Sequence, residues 1–253
     1  MTTKYRYGAF VWRELLSRDP AKAARFYGEL FGWKTESMAM PDGQTYTVLK
    51  TGDKSVGGIF KMSDAMKGVP SHWIPYVSVE DVDAASKRAT DRGGKVVIGP
   101  MDIPNVGRMA AVMDPMNGSF YLFKSAMGDP EQAMPKPGEF CWEDLSSTDL
   151  AKSKDFYSNV VGWKITSFMG MDTFGIGEGM QNQVASLQQA PPGVPQSWLC
   201  HVVVDGLGAA RDRAKRLGAT VMMEEVKVPT VGSFAVIQDP DGAVISLFEG
   251  EKK

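Results

Sequence analysis

The chain says nearly the same thing twice. The stretch VWRELLSRDPAKAARFYGELFGW, residues 11–33, returns as CWEDLSSTDLAKSKDFYSNVVGW at 141–163. Gly8 aligns with Gly138, Trp12 with Trp142, Asp19 with Asp149, Tyr27 with Tyr157 and Trp33 with Trp163, all offset by 130. Further on the offset is 125, pairing Trp73 with Trp198, Val79 with Val204, Gly93 with Gly218, Gly107 with Gly232 and Asp114-Pro115 with Asp239-Pro240. A repeat of this length limits the fold to a structural unit used twice. The units run over 6–125 and 137–250, joined by SAMGDPEQAMPKPGE at 125–139, whose three prolines and two glycines stop helix and strand alike.

Each unit repeats a smaller pattern. In the first, the strand GAFVWRELL leads into a helix opened by Asp19, a capping residue, with Pro20 in the first turn. Ala23, Phe26, Tyr27 and Leu30 follow helical spacing up to Gly32. YTVLKT and VGGIFKM read as strands. The order then restarts with WIPYVSV, a helix from Asp81 to about Arg92 and three more strands, KVVIGPMDI, RMAAVMD and SFYLFKS. The second half does likewise, with helices near 150–161 and 207–217. The expected fold is α+β, with β-α-β-β-β written four times.

FYGELFGW after the first helix, a V-x-D before the second, and GRMAAVMDPMNG or GSFAVIQDPDG before a short apolar strand resemble the glyoxalase, bleomycin-resistance and extradiol-dioxygenase superfamily, also named for vicinal oxygen chelation. The resemblance covers nearly the whole chain, twice, and is closest to bacterial two-domain proteins described as hydroxylase or glyoxalase-like. It implies paired modules whose curved mixed sheets surround a cleft. In metal-binding members His, Gln or Glu stands on the first and last strands of each module. The corresponding positions here are Trp12, Ile74 and Tyr121 in the first half and Trp142, Leu199 and Ser246 in the second. The remaining ligand would fall in VGGIF or QVASL, which hold neither carboxylate nor histidine. Divalent ions take imidazole, carboxylate or thiolate, so no metal and no other cofactor is expected.

Counted from the positions that the resemblance implies, strand alternation adds Phe10, Glu14 and Tyr76 to the first cleft and Phe140, Asp144 and His201 to the second. Phe10, Trp12, Glu14, Ile74, Tyr76 and Tyr121 are expected to line the first, and Phe140, Trp142, Asp144, Leu199, His201 and Ser246 the second. Aromatic walls around a few polar groups suit a flat or apolar small molecule. The alternative is an isomerase or lyase of a small carbonyl compound, with Asp144 orienting His201 for acid–base work and Glu14 as a further catalytic carboxylate. Each of these acids and His201 also has a bland reading, as a strand residue bonded to neighbouring backbone. Trp33 and Trp163 read as packing residues, His72 as a strand entrance, and GIGEG at 175–179 as a turn, because it lacks the lysine and helix of a phosphate loop. Met101, Met109, Met113 and Met116 fill a pocket wall or core gaps.

Lys plus Arg is 28 and Asp plus Glu 30, a net charge of −2 that gives no electrostatic reason for nucleic acid or an anionic membrane as partner. The start, MTTKYRYGAF, has no apolar run of signal-peptide length. Cys141 and Cys200 are too few for a disulfide scaffold and read as buried thiols. A cytoplasmic monomer is expected, with a homodimer as the alternative.

Overall fold

A computed structural model describes residues 4–40 and 43–251. The first half forms β1 (Phe10–Ser17), α1 (Pro20–Phe31), β2 (Lys34–Ala39), β3 (Thr45–Thr51), β4 (Lys54–Lys61), β5 (His72–Ser78), α2 (Val82–Asp91), β6 (Lys95–Ile103), β7 (Gly107–Met113) and β8 (Ser119–Ser125). The second forms β9 (Phe140–Ser147), α3 (Leu150–Val160), β10 (Lys164–Phe168), β11 (Met171–Gly175), β12 (Gln183–Gln189), β13 (Ser197–Val203), α4 (Leu207–Arg216), β14 (Thr220–Val228), β15 (Gly232–Gln238) and β16 (Val244–Gly250). The fourfold β-α-β-β-β pattern is therefore present. Each half contributes one eight-stranded sheet, ordered β2-β3-β4-β1-β5-β8-β7-β6 and β10-β11-β12-β9-β13-β16-β15-β14. Both are mixed: β1 runs parallel to β4 and β5 to β8, while the hairpin-linked strands are antiparallel. The joint at 126–139 contains neither helix nor strand.

The helices begin where the sequence places them. Asp19, Asp81 and Asp149 accept the backbone N–H of Lys22, Ala84 and Lys152. At α4 the cap position is Gly206, and Glu249 Oε2 takes over by accepting the Leu207 N–H at 2.7 Å.

Compactness divides the chain differently from the repeat. One unit comprises Met1–Trp12, Ile74–Gln132 and Glu143–Trp198; the other comprises Arg13–Trp73, Ala133–Trp142 and Leu199–Lys253. Each unit thus joins a module of one half to a module of the other, whereas the expected boundaries at 6–125 and 137–250 follow the sheets. Two hydrophobic cores have the same composition by module. One contains Val77, Ala85, Phe120 and Leu122 together with Leu145, Phe156, Tyr157 and Trp198. The other contains Leu15, Phe26, Tyr27 and Trp73 together with Val202, Ala210, Ile237 and Leu247.

The repeated landmark residues make these joints, and they do so twice. In the first unit Tyr157 donates its hydroxyl to Asp114 Oδ2 at 2.8 Å and accepts from Trp198 Nε1 at 3.1 Å. In the second, Tyr27 donates to Asp239 Oδ2 and accepts from Trp73 Nε1, both at 2.9 Å. Trp163 Nε1 donates to the Gly8 carbonyl and Trp33 Nε1 to that of Gly138. Arg88 donates to the carbonyl of Val160 and Arg213 to that of Leu30, each at the C-terminal end of the facing helix, where carbonyls lack intrahelical donors. A buried N–H or O–H without a partner is costly, which explains why Tyr, Trp and Asp stand at fixed spacings in both copies.

Candidate functional site

The candidate positions lie on central strands, and strand alternation decides which way they turn. On β5 and β8, Val77, Phe120 and Leu122 enter the core. Tyr76 and Tyr121 therefore occupy the other face, where they stand in register across the parallel pair. Their rings are 4.3 Å apart between centroids, tilted by 34°, and Phe123 meets Tyr76 edge-on at 5.7 Å. Tyr76 is 6% and Tyr121 5% exposed, and Ile74 is buried on the same face of β5. Trp12 is half-buried at the end of this unit's share of β1.

In the second unit Glu14 is buried and sits in register with Gly58, while Leu15 and Ile59 point into the core. The phenol of Tyr46 lies across Gly58, where a methyl group would collide with it. Tyr46 is in turn 6.3 Å from the ring of Phe60.

The same unit holds most of the second-half candidates. Cys200, Val202, Ile245 and Leu247 belong to the core, so Leu199, His201 and Ser246 take the opposite face. His201, 3% exposed, is in register with Ser246 and meets the ring of Phe234 edge-on at 5.3 Å. Its backbone carbonyl accepts from the Cys141 thiol at 3.5 Å. Ser246 donates to the Ala235 carbonyl at 3.3 Å, and Trp142 and Leu199 are half-buried. Asp144 belongs to the first unit, 8% exposed and in register with Ser186.

Two candidates require correction. Phe10 packs on Trp163 and Trp198, and Phe140 on Trp33 and Trp73, so both rings join hydrophobic cores and are not cleft walls. Both follow within two residues of a glycine with left-handed φ, Gly8 or Gly138, whose carbonyl is bound by one of the same tryptophans. The alternation inferred from the middle of the strand does not extend to its first residue. Four aromatic residues escaped the sequence reading: Tyr46, Phe60, Phe123 and Phe234. Phe123 could have been found by stepping two residues from Tyr121. Glu143, 1% exposed beside Asp144, was also passed over.

The strongest electrostatic perturbations lie in the joints. Burial pushes the Asp114 and Asp239 carboxyls above their usual range, against the pull of backbone N–H and tyrosine donors. Burial, reinforced by those carboxylates, raises the Tyr27 and Tyr157 phenols well above theirs. These groups are embedded in core and serve packing.

Among the described residues no three His, Cys, Asp or Glu side chains converge in a way that could hold a metal ion. Trp12, Ile74, Tyr121, Trp142, Leu199 and Ser246 do not supply the donors a divalent cation requires, so the residues present do not fit the metal of the metal-binding relatives. Among the described residues no helix is long and apolar enough to cross a membrane.

Comparison with known proteins agrees with the architecture. Over 98% of this chain it is 29% identical to the putative glyoxylase CFP32 of Mycobacterium tuberculosis (strain CDC 1551 / Oshkosh), covering 97% of that protein. It is also 29% identical to the anthracycline biosynthesis protein DnrV of Streptomyces peucetius, over 98% of this chain and 95% of that one. The Mn(II)-bound glyoxalase from Novosphingobium aromaticivorans superposes with a TM-score of 0.62 at 17% identity, over 98% of this chain and 83% of that one. The 2,3-dioxygenase LapB from Pseudomonas sp. KL28 gives 0.63 at 12%, over 100% and 94%; at such identities the likeness concerns the fold alone. The family model for the Glyoxalase/Bleomycin resistance protein/Dioxygenase superfamily matches residues 9–120 and 143–247, and the chain belongs to that superfamily.

Proposed function

We propose that this protein binds a small, flat, largely apolar molecule by stacking, without a metal ion. The observation that carries the reading is the in-register pair Tyr76 and Tyr121, with Phe123 at its edge, on the sheet face turned away from the core. Aromatic rings offer large contact area at low entropic cost, and the ligand positions of metal-binding relatives hold no metal donors. A relative named for anthracycline biosynthesis makes a fused aromatic ring system the first class to test. The experiment is a fluorescence titration with 1,8-dihydroxyanthraquinone, paired with elemental analysis. Saturable binding that weakens about fivefold or more in Tyr121→Ala supports the reading, because the loss of one stacked aromatic contact is worth on the order of 1 kcal/mol or more. Binding unchanged by Tyr121→Ala, or about one transition metal per chain, refutes it.

A second reading is favoured by His201, which is buried in register with Ser246: proton transfer on a small carbonyl compound. An isomerase or lyase assay across pH tests it. Activity that disappears in His201→Ala with the melting temperature preserved supports this reading. Destabilisation by several kcal/mol with function otherwise unchanged would instead make His201 a core residue.

A further inference from the structure

The two halves differ where their sheets carry the hairpin strands that follow the first helix of each half, the region in which the repeat offset changes from 130 to 125. In the second half, register aligns Asp144 of β9 with Ser186 of β12, Ser186 with Thr173 of β11, and Thr173 with Thr166 of β10. All four lie within the first compact unit. Leu145, Ala185, Leu187 and Phe174, their chain neighbours, enter the core, so this row lies on the opposite face. With strands spaced by about 4.8 Å, its length is about 14 Å. Gln183 adds an amide: its Oε1 is 2.6 Å from Thr166 Oγ1 and 2.8 Å from Thr173 Oγ1, and the two hydroxyls are 2.7 Å apart. Thr173 is buried beneath its neighbours, while Thr166, Ser186 and Gln183 are half-buried and reachable.

At the same register the first half has Glu14, Gly58, Val48 and Glu36, and the phenol of Tyr46 lies across Gly58. The repeat offset puts Met171, 39% exposed, where the first half has Tyr46. The second half therefore carries hydroxyls where the first has a carboxylate, an aliphatic residue and a glycine, and Met171 stands where the first half has the covering phenol.

We propose that this row is a binding site for the hydroxyl-rich face of a neutral small molecule, a polyol or a pyranose ring. Hydroxyl and amide groups both donate and accept, which matches a ligand whose groups do the same. None of the row's own side chains is basic, so it offers an anionic group no charged partner. The site goes beyond the aromatic contact proposed above and uses different residues.

The test is ligand-observed NMR on the full chain with methyl β-D-glucopyranoside and myo-inositol, with glucose 6-phosphate as the anionic comparison. At least one neutral probe is expected to bind, more tightly than the phosphate. Met171→Tyr combined with Ser186→Gly transfers the first-half arrangement and is expected to weaken that binding about tenfold or more, since it covers the row and removes a hydrogen-bonding partner. Ser186→Ala, which adds no bulk, is expected to weaken it in the same direction should the double variant not fold. Tyr121→Ala should leave it unchanged while weakening the aromatic ligand, which separates the two readings. Absence of binding by both neutral probes, equal binding of the phosphate, or undiminished binding in folded variants would overturn the proposal.

Discussion

Removing one oxygen atom tests the joint that connects the halves. Tyr27→Phe keeps the ring in the core and deletes the hydroxyl that donates to Asp239 Oδ2 and accepts from Trp73 Nε1, both at 2.9 Å. Tyr27, Trp73 and Asp239 are all buried, so water does not readily replace the lost partner. A hydrogen bond to an ionised group contributes about 1.5–3 kcal/mol, and an orphaned buried N–H costs about 1–3 kcal/mol. The expected destabilisation is about 3 kcal/mol. Tyr157→Phe makes the same deletion in the other unit, but there Gln196 Nε2 also donates to Asp114 Oδ2, so the carboxylate keeps a side-chain donor and the cost should be smaller. Urea unfolding followed by both tryptophan fluorescence and circular dichroism measures the two losses and shows whether the transitions coincide. Losses below about 1 kcal/mol in both variants, or a larger loss in Tyr157→Phe, would refute the reasoning.

Residues 1–126 expressed alone should be insoluble or lack cooperative unfolding, because Tyr27, Leu30 and Trp73 share a core with Val202, Ala210 and Leu247. Each large side chain left exposed costs about 1.5–3 kcal/mol, and several together exceed the 5–15 kcal/mol that stabilise a typical protein. Co-expression with residues 127–253 should restore solubility, and a soluble, cooperative half-chain monomer would contradict the interleaved packing. Carbon-detected NMR titration should place Asp114 and Asp239 above the ordinary aspartate value of 3.8. With native pKa values raised, their contribution to stability is full below that value and is lost as pH rises through the native one; values at or below 3.8 would refute the assignment. Gly232→Ala should lower stability by about 2 kcal/mol or more, since φ is 153° there and a methyl group would strike the Glu249 carbonyl oxygen. A melting temperature equal to that of the parent would show that the backbone relaxes freely.

Much of this molecule was legible in the repeat. Periodicity placed α1 and α2, the capping aspartates marked where helices begin, and the offsets of 130 and 125 identified Tyr27, Trp33, Trp73 and Asp114 as positions with counterparts. The family resemblance pointed to Ile74, Tyr121, Leu199 and Ser246, alternation from them added Tyr76 and His201, and all six lie on strand faces opposite the core residues. It missed β2, KTESMA, which is exposed throughout and therefore carries no apolar period. It failed at Phe10 and Phe140, where the rings join tryptophan clusters at the strand entrances. It also overlooked the Thr166–Thr173–Ser186 row, because register across strands cannot be read along one strand. Above all, a repeat identifies equivalent residues but not which copy each one meets. Tyr27 finds a chemically identical carboxylate in Asp114 of its own half and Asp239 of the other, and its sequence environment favours neither. Only the path of the chain, which brings a module of one half against a module of the other, selects Asp239.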